Sequence, residues 1–277
     1  MMLSVAIPVL FAVFVWWFST GLILLLDGLP RKTFRWSLVI STALAATAFG
    51  ALVHTAGNTT PADAYCAFTC ALLVWGWHEL AFLTGWITGP RKTATPAGAS
   101  TWTRFVHAIQ AILWHEIAII SVGVAIIAVT WGEPNQVGTW TYLVLWTMRA
   151  SAKLNLFLGV RNLSEEFLPE HLKYLVSFFR RRAMNLLFPI SVTVPTVIAG
   201  LMVQEALLPA TAPAMHVGLL LVATMLGMAV IEHWMMVLPL PVAALWRWAL
   251  RSREPGEPHD PPPLLVPPSD NNLLHAR

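Results

Sequence analysis

Charged side chains are scarce in this chain. Only 11% of its 277 residues are Asp, Glu, Lys or Arg, whereas 57% are hydrophobic. Because a soluble domain carries about 25% charged residues, this chain has too little polar surface to fold as a soluble globule. It also lacks a basic patch interleaved with stacking aromatic residues, which argues against a nucleic-acid partner.

Cysteine is scarce as well. Cys66 and Cys70 are the only two, and they lie four residues apart in one apolar run. This spacing is typical of neither a zinc ribbon nor a thioredoxin-like motif, so we expect two packing thiols. The first apolar run, residues 3–26, lacks the basic flank and the cleavage site of a secretion signal, and its length predicts a spanning helix.

Long apolar runs are what the chain has in abundance. They predict helices over residues 3–26, 36–57, 63–88, 105–131, 139–160, 184–206 and 214–246. Each run is long enough to cross a hydrocarbon core of about 30 Å at about 1.5 Å per residue. None shows the period-two alternation of membrane β-strands. The predicted fold is therefore an all-α polytopic membrane protein with about seven transmembrane helices in one domain, residues 1–250.

Lysine and arginine occur in every second connection between these runs. The first, third and fifth connections and the tail carry them, and the second, fourth and sixth carry none. The excess of basic residues in cytoplasmic loops then predicts that the N-terminus is outside and the C-terminus inside.

Two segments are expected to differ from the spanning helices. Ser164 as an N-cap, followed by Glu165, Glu166 and an apolar stripe, predicts an interfacial helix over residues 164–182 on the cytoplasmic membrane surface. The tail, residues 251–277, is rich in proline and has no hydrophobic periodicity, so we expect it to be disordered.

Ionisable residues inside the apolar runs form the candidate site, because charges are costly in hydrocarbon and usually functional there. Three adjacent Glu/His pairs occur on three predicted helices, and the fifth helix adds three polar residues. The predicted topology places all of them in the cytoplasmic half of the bundle. The set comprises His78, Glu79, His115, Glu116, Glu232 and His233, together with Arg149, Lys153 and Asn155.

Three interpretations of this layer remain open. The Glu/His pairs could supply six ligands to a di-iron centre, and His171 and Glu165 or Glu166 could add more. Adjacent residues on a helix point about 100° apart, however, whereas the Glu-x-x-His motif places both ligands on one face. Alternatively, the three glutamates pair with Arg149 and Lys153 in an internal charge network that holds the helices together. A third interpretation is a pocket for a porphyrin-like ligand with an axial histidine.

Several of these segments resemble the PuhE family of photosynthetic complex assembly proteins from purple phototrophic bacteria. The resemblance is carried from the first helix to the last by Trp16–Gly21 with Asp27–Pro30, Trp77-His78-Glu79, Trp114-His115-Glu116, Lys153-Leu154-Asn155 and Glu232-His233-Trp234.

The resemblance implies a multi-pass protein of the bacterial cytoplasmic or intracytoplasmic membrane. It implies a role in assembling the reaction centre and core light-harvesting complex or in supplying bacteriochlorophyll, with reaction-centre or light-harvesting subunits and membrane lipids as partners. It brings no catalytic residues. The residues themselves leave an alternative function open, a di-iron membrane oxidoreductase acting on a tetrapyrrole or another lipid-soluble substrate, and a bound bacteriochlorophyll-type pigment is the other expected cofactor.

Overall fold

A computed structural model describes residues 2–253, and seven long helices dominate it. They are α1 (Met2–Asp27), α2 (Phe34–Ala56), α3 (Pro61–Leu83), α4 (Thr101–Thr130), α5 (Val137–Leu158), α6 (Phe188–Ala206) and α7 (Pro213–Met235). Residues 2–253 contain no β-strand, and a single isolated bridge pairs Val160 with Arg181. The prediction of an all-α polytopic membrane protein is confirmed.

Six of the seven helices are long and apolar enough to cross a membrane, and α5 is the exception. Its 22 residues include Arg149 and Lys153, which lower its mean hydropathy. Nevertheless α5 lies inside the bundle, where it packs against α3, α4 and α7. Crossing of the membrane by α5 stays a prediction, and its place among the spanning helices supports it.

Contacts between helix ends show that successive helices run in alternate directions. The Asn135 side chain, just before α5, donates to the Thr55 carbonyl near the end of α2 at 3.0 Å. His216 in the first turn of α7 contacts the carbonyls of Ala206, at the end of α6, and Ser4, near the start of α1. The connections at the other end of the bundle carry the basic residues, an arrangement that favours the predicted orientation.

Two predicted helices are longer than the observed ones. We predicted that the third helix reaches residue 88, but α3 ends at Leu83, because Gly85 adopts a positive φ of 81° and the chain turns away. We predicted that the seventh helix reaches residue 246, but α7 ends at Met235. Pro239 and Pro241 follow it, and proline cannot continue a helix.

The predicted start of the sixth helix at residue 184 is also wrong. Helix α6 begins at Phe188, because the Asn185 side-chain oxygen accepts hydrogen bonds from the amides of Leu187 and Phe188. Asn185 thus caps the first turn and stays outside the helix.

The segment after α7 folds back onto α1. Its short helix α8 (Arg247–Leu250) follows a 3₁₀ turn, Val242–Trp246. The Trp246 indole donates to the Trp17 carbonyl at 2.9 Å, and the Trp17 indole donates to the Leu245 carbonyl at 3.0 Å. These reciprocal bonds fix the chain against the second half of α1.

One continuous helix over residues 164–182, as predicted, does not form, and the predicted place of this segment at the membrane surface stays a prediction. Two 3₁₀ helices, Glu165–Phe167 and Glu170–Phe178, occupy this segment, and Ser164 adopts a left-handed conformation without capping either. The buried residues Leu172, Leu175 and Phe178 recur every third position, which is the period of a 3₁₀ helix. They pack against residues of α3 and α4.

The predicted tail, residues 251–277, begins within the described structure. Residues Arg251–Arg253 form a 3₁₀ turn, and the Ser252 hydroxyl lies 3.3 Å from the Leu25 carbonyl of α1. Residues 254–277 lie outside the described residues, so their predicted disorder stays a prediction.

Candidate functional site: a charged layer inside the bundle

Helix α5 places two cations in the centre of the candidate site. Arg149 and Lys153 are one helical turn apart and therefore lie on the same face. Arg149 Nη2 lies 3.1 Å from Glu79 Oε2 on α3, and Lys153 Nζ lies 2.5 Å from Glu116 Oε1 on α4. Two ion pairs thus join three helices at one level, as the charge-network interpretation predicts for these four residues.

The third glutamate of the layer has a different partner. Glu232 on α7 accepts a hydrogen bond from the Trp16 indole on α1 at 2.9 Å. Trp16 packs edge-on against Trp246, with ring centroids 5.4 Å apart. The partner of Glu232 is therefore an indole N–H and not a cation as predicted. This hydrogen bond joins α1 to α7 next to the segment that follows α7.

His78 is buried beside Glu79 but contacts a different residue. Its Nε2 lies 3.0 Å from the Tyr142 hydroxyl, which donates to the Ile119 carbonyl at 2.9 Å. Since the phenol has one hydrogen and the carbonyl can only accept, His78 Nε2 carries the hydrogen and donates to Tyr142. His78 therefore links α3, α5 and α4 through hydrogen bonds.

His233 belongs to a second polar cluster, on the α6 side of α5. Its Nδ1 donates to the Ala229 carbonyl at 2.8 Å, and its Nε2 lies 2.9 Å from the Ser151 hydroxyl, which donates to the Ser191 hydroxyl at 2.9 Å. Asn155, which is fully buried, donates to the Ser191 hydroxyl at 2.9 Å. Glu232 and His233 are adjacent in sequence but serve different clusters.

His115 marks the point where the chain after α3 meets α4. Its backbone amide donates to the Thr88 carbonyl at 2.9 Å, and its ring lies 4.6 Å from the Phe82 ring. The loop approaches so closely that a Cβ on Gly89 would lie 2.0 Å from the Gln110 carbonyl oxygen. His115 thus packs at a loop–helix junction.

The remaining predicted residues lie outside the charged layer. Glu165 pairs with Arg181 at 3.0 Å on the protein surface. Glu166 and His171 line a cleft at the end of the bundle where α1 ends and α2 begins. None of these three is brought to the Glu/His pairs.

This geometry does not fit a di-metal centre. Within residues 2–253, no three His, Cys, Asp or Glu side chains form a group that could hold a metal ion. Two of the predicted ligands, Glu79 and Glu116, are paired with cations, and His78 and His233 hydrogen-bond to other helices. A pigment does not fit either, because His78, His115 and His233 are each about 1% exposed and offer no open ring face.

Comparison with known proteins gives the family. The profile of DUF3623, described as a protein of unknown function, matches residues 2–257. The chain belongs to the DUF3623 family. An "uncharacterized 30.4 kDa protein in puhA 5'region" from Rhodobacter capsulatus is 40% identical over 261 residues, which cover 92% of this chain and 95% of that protein. No solved structure matches this DUF3623 chain.

Sequence reasoning missed several partners of the site in this DUF3623 protein. Tyr142 carried a signal, because it precedes Arg149 by seven residues and so lies on the same face of α5. No sequence signal pointed to Trp16 or Ser151, because indoles and hydroxyls are common in spanning helices. Their partners also lie on distant segments.

Arg149 is more accessible than its position suggests. Its side chain is 45% exposed, yet it lies on the face of α5 opposite the exposed residues Thr147 and Leu154 at 100° per residue.

Proposed function

We propose that this protein is a membrane factor for assembly of the photosynthetic reaction centre and light-harvesting complex, or for supply of bacteriochlorophyll to it. One observation carries the proposal. A relative that is 40% identical over nearly the whole chain is named for its position in the puhA 5' region, a photosynthesis gene cluster. The resemblance to the PuhE family, and a place in the bacterial inner membrane, agree with this context.

The contacts in the charged layer support a role in assembly rather than a catalytic role. Both cations of the layer lie against carboxylates, and the acids are supplied by three different helices. Such pairs hold helices together in lipid, where apolar burial provides little drive for helix association. We infer that the layer keeps α1, α3, α4, α5 and α7 in one arrangement that presents the outer surface to photosynthetic subunits.

The alternative, a di-iron oxidoreductase, is not supported by convergence of its ligands, since no three of them within residues 2–253 form a group that could hold a metal ion. Five of the six predicted ligands, all but His115, contact cations, an indole, a phenol or a hydroxyl, so no step is assigned to a metal here. Metal analysis of the purified full chain after iron loading separates the two functions, since an oxidoreductase requires about two iron ions per chain.

Gene deletion in a phototrophic host tests the assembly role directly. The assembled core complex is quantified by its near-infrared absorption in membranes, and total bacteriochlorophyll is extracted in parallel. We expect the core complex to fall. If extracted pigment is normal, the protein acts on complex assembly, and if pigment falls in proportion, it acts on supply.

Complementation connects this phenotype to the charged layer. Arg149→Gln removes the cation that pairs with Glu79, whereas Arg181→Gln makes the same change at an exposed surface pair with Glu165. We expect the wild-type chain and Arg181→Gln to restore the complex and Arg149→Gln to restore less. Unchanged complex yield in the deletion strain rejects the proposed function.

A further inference from the structure

Three arginines form a group of positive charge that is separate from the charged layer. Arg104 lies near the start of α4, and its Nη2 donates to the Phe157 carbonyl in the last turn of α5 at 3.0 Å. Arg180 and Arg182 lie in the segment before α6, and Arg180 Nη2 donates to the Thr101 hydroxyl of α4 at 3.0 Å. Electrostatic repulsion acts on Arg104 from both of them. We call these three residues the arginine cluster.

A short backbone pairing holds two of these arginines in place. The Val160 amide donates to the Arg180 carbonyl at 3.2 Å, and the Arg182 amide donates to the Val160 carbonyl at 3.0 Å. Successive side chains of a segment paired in this way point to opposite sides. The intervening Arg181 forms its ion pair with Glu165, so Arg180 and Arg182 lie on the side away from that pair.

The arginine cluster has no acidic partner within residues 2–253, because the ion pairs of this part of the chain involve other cations. Arg104 is buried, and its guanidinium carbon lies 4.2 Å from the centroid of the Phe157 ring. Its Nε is also buried and has no hydrogen-bond partner among the described residues. An arginine stays charged in a protein, and a buried charge without an opposite charge is strongly unfavourable. An anion from outside the chain would supply the missing charge.

The donors of the arginine cluster suit a phosphate group. A guanidinium presents five N–H donors in a planar arrangement that matches phosphate oxygens. Arg180 uses Nη2 for Thr101 and keeps further donors, and the Arg182 side chain is exposed. Both arginines can therefore donate to one phosphate, and hydrogen bonds between two charged groups are the strong ones.

The surroundings of the cluster suit a lipid that carries this phosphate. Trp102 is exposed and stacks on Phe105, with ring centroids 5.8 Å apart, and Phe105 packs edge-on against Phe157 at 5.5 Å. Exposed tryptophans of this kind mark the membrane–water interface. Leu158 and, one turn earlier, Leu154 are exposed on α5. An apolar surface for acyl chains thus begins next to the cluster, and a free phosphate would make no use of it.

We propose that the arginine cluster binds the phosphodiester of an anionic phospholipid, of the phosphatidylglycerol type. Arg180 and Arg182 donate to the phosphate oxygens, and the buried charge of Arg104 adds to the positive potential at the site. A zwitterionic headgroup is disfavoured, because its ammonium group is repelled by the same three cations. The proposal does not depend on the assembly function, since it rests on the cluster and its surroundings alone.

Native mass spectrometry of the full chain in detergent tests this site. The chain is titrated separately with phosphatidylglycerol, with phosphatidylethanolamine of the same acyl chains, and with inorganic phosphate. We expect one tightly retained phosphatidylglycerol and weaker binding of the other two. Equal retention of phosphatidylethanolamine overturns the proposal. Inorganic phosphate that binds as tightly as phosphatidylglycerol also overturns it and makes free phosphate the ligand.

Two neighbouring variants locate the binding. Arg182→Gln removes a charge from the cluster, and Arg181→Gln removes the same charge one residue away, on the side of Glu165. We expect Arg182→Gln to weaken phosphatidylglycerol binding about tenfold, the size of one charge-assisted hydrogen bond. We expect little change for Arg181→Gln. Equal effects of the two variants contradict the site, because they indicate a diffuse attraction of the basic surface for anionic lipid.

The melting temperature gives a second measurement, because a ligand that binds only the folded chain raises it. We expect phosphatidylglycerol to raise the melting temperature of the wild-type chain and of Arg181→Gln, and to raise that of Arg182→Gln less. Without lipid, the melting temperatures show whether each variant is folded, and Arg182 is exposed, so its substitution should be tolerated. An equal rise for all three chains overturns the proposal.

Discussion

The ion pair between Glu79 and Arg149 should stabilise the bundle measurably. Truncating one partner of a fully buried pair costs about 3–5 kcal/mol, because the other charge is left without compensation. The side chain of Glu79 is 11% exposed, but that of Arg149 is 45% exposed, so screening lowers this value. Hydrogen bonds between membrane helices average about 0.6 kcal/mol and reach about 1.7 kcal/mol in double-mutant cycles. We expect a coupling free energy of about 1–2 kcal/mol.

The cycle consists of Glu79→Gln, Arg149→Gln and the double variant. Unfolding in a graded detergent mixture is followed through labelling of Cys70, which is buried on the same helix as Glu79 and is 6% exposed. We expect Arg149→Gln to be the more harmful single change, because it leaves the more buried partner charged. The double variant should be less destabilised than the sum of the two.

A surface cycle provides the control. The pair of Arg181 and Glu165 has side chains that are 71% and 42% exposed, and exposed pairs contribute about 0–1 kcal/mol. If Glu79→Gln and Arg149→Gln are additive within about 0.3 kcal/mol, as unconnected sites are, the pair does not hold α3 to α5 and the reasoning fails.

Three further predictions follow from the same geometry. Tyr142→Phe leaves the buried His78 donor without its acceptor and should cost about 1–3 kcal/mol, measured as a lower melting temperature than that of the control Tyr65→Phe. Gly89→Ala places a Cβ 2.0 Å from a backbone oxygen of α4 and should prevent normal folding, whereas Gly50→Ala meets no atom within 4 Å and should express normally. After iron loading, elemental analysis should find less than one iron ion per several chains, and a stoichiometric value contradicts the charge-network interpretation.

Most of the helical architecture could be predicted from apolar runs, because a helix that faces lipid must be continuously hydrophobic. Ends were harder. Asn185 caps α6 through its side chain, and Gly85 turns the chain after α3. Both act through local backbone geometry that a hydropathy pattern does not contain. The interfacial segment was harder still, because the spacing of Leu172, Leu175 and Phe178 suits a 3₁₀ helix packed on protein as well as an amphipathic helix on lipid.

The site was predicted in part. The shared level of Glu79, Glu116 and the two α5 cations follows from helix direction and position in each run, and the structure pairs them. What sequence order could not provide is the direction of each neighbouring histidine. Adjacent residues diverge by about 100° on a helix, so His233 reaches Ser151 while Glu232 reaches Trp16.

The least apolar helix therefore organises the bundle. Arg149 and Lys153 make α5 too polar for a membrane span by composition alone, and the same residues bind it to α3 and α4. Since charges are costly in hydrocarbon, we expect α5 to be stable in a membrane only while the acids of its neighbours pair with Arg149 and Lys153. We therefore expect α5 to keep Arg149 and Lys153 charged only when it is assembled with α3 and α4, which supply the paired acids. A variant that neutralises the acids should leave α5 poorly inserted.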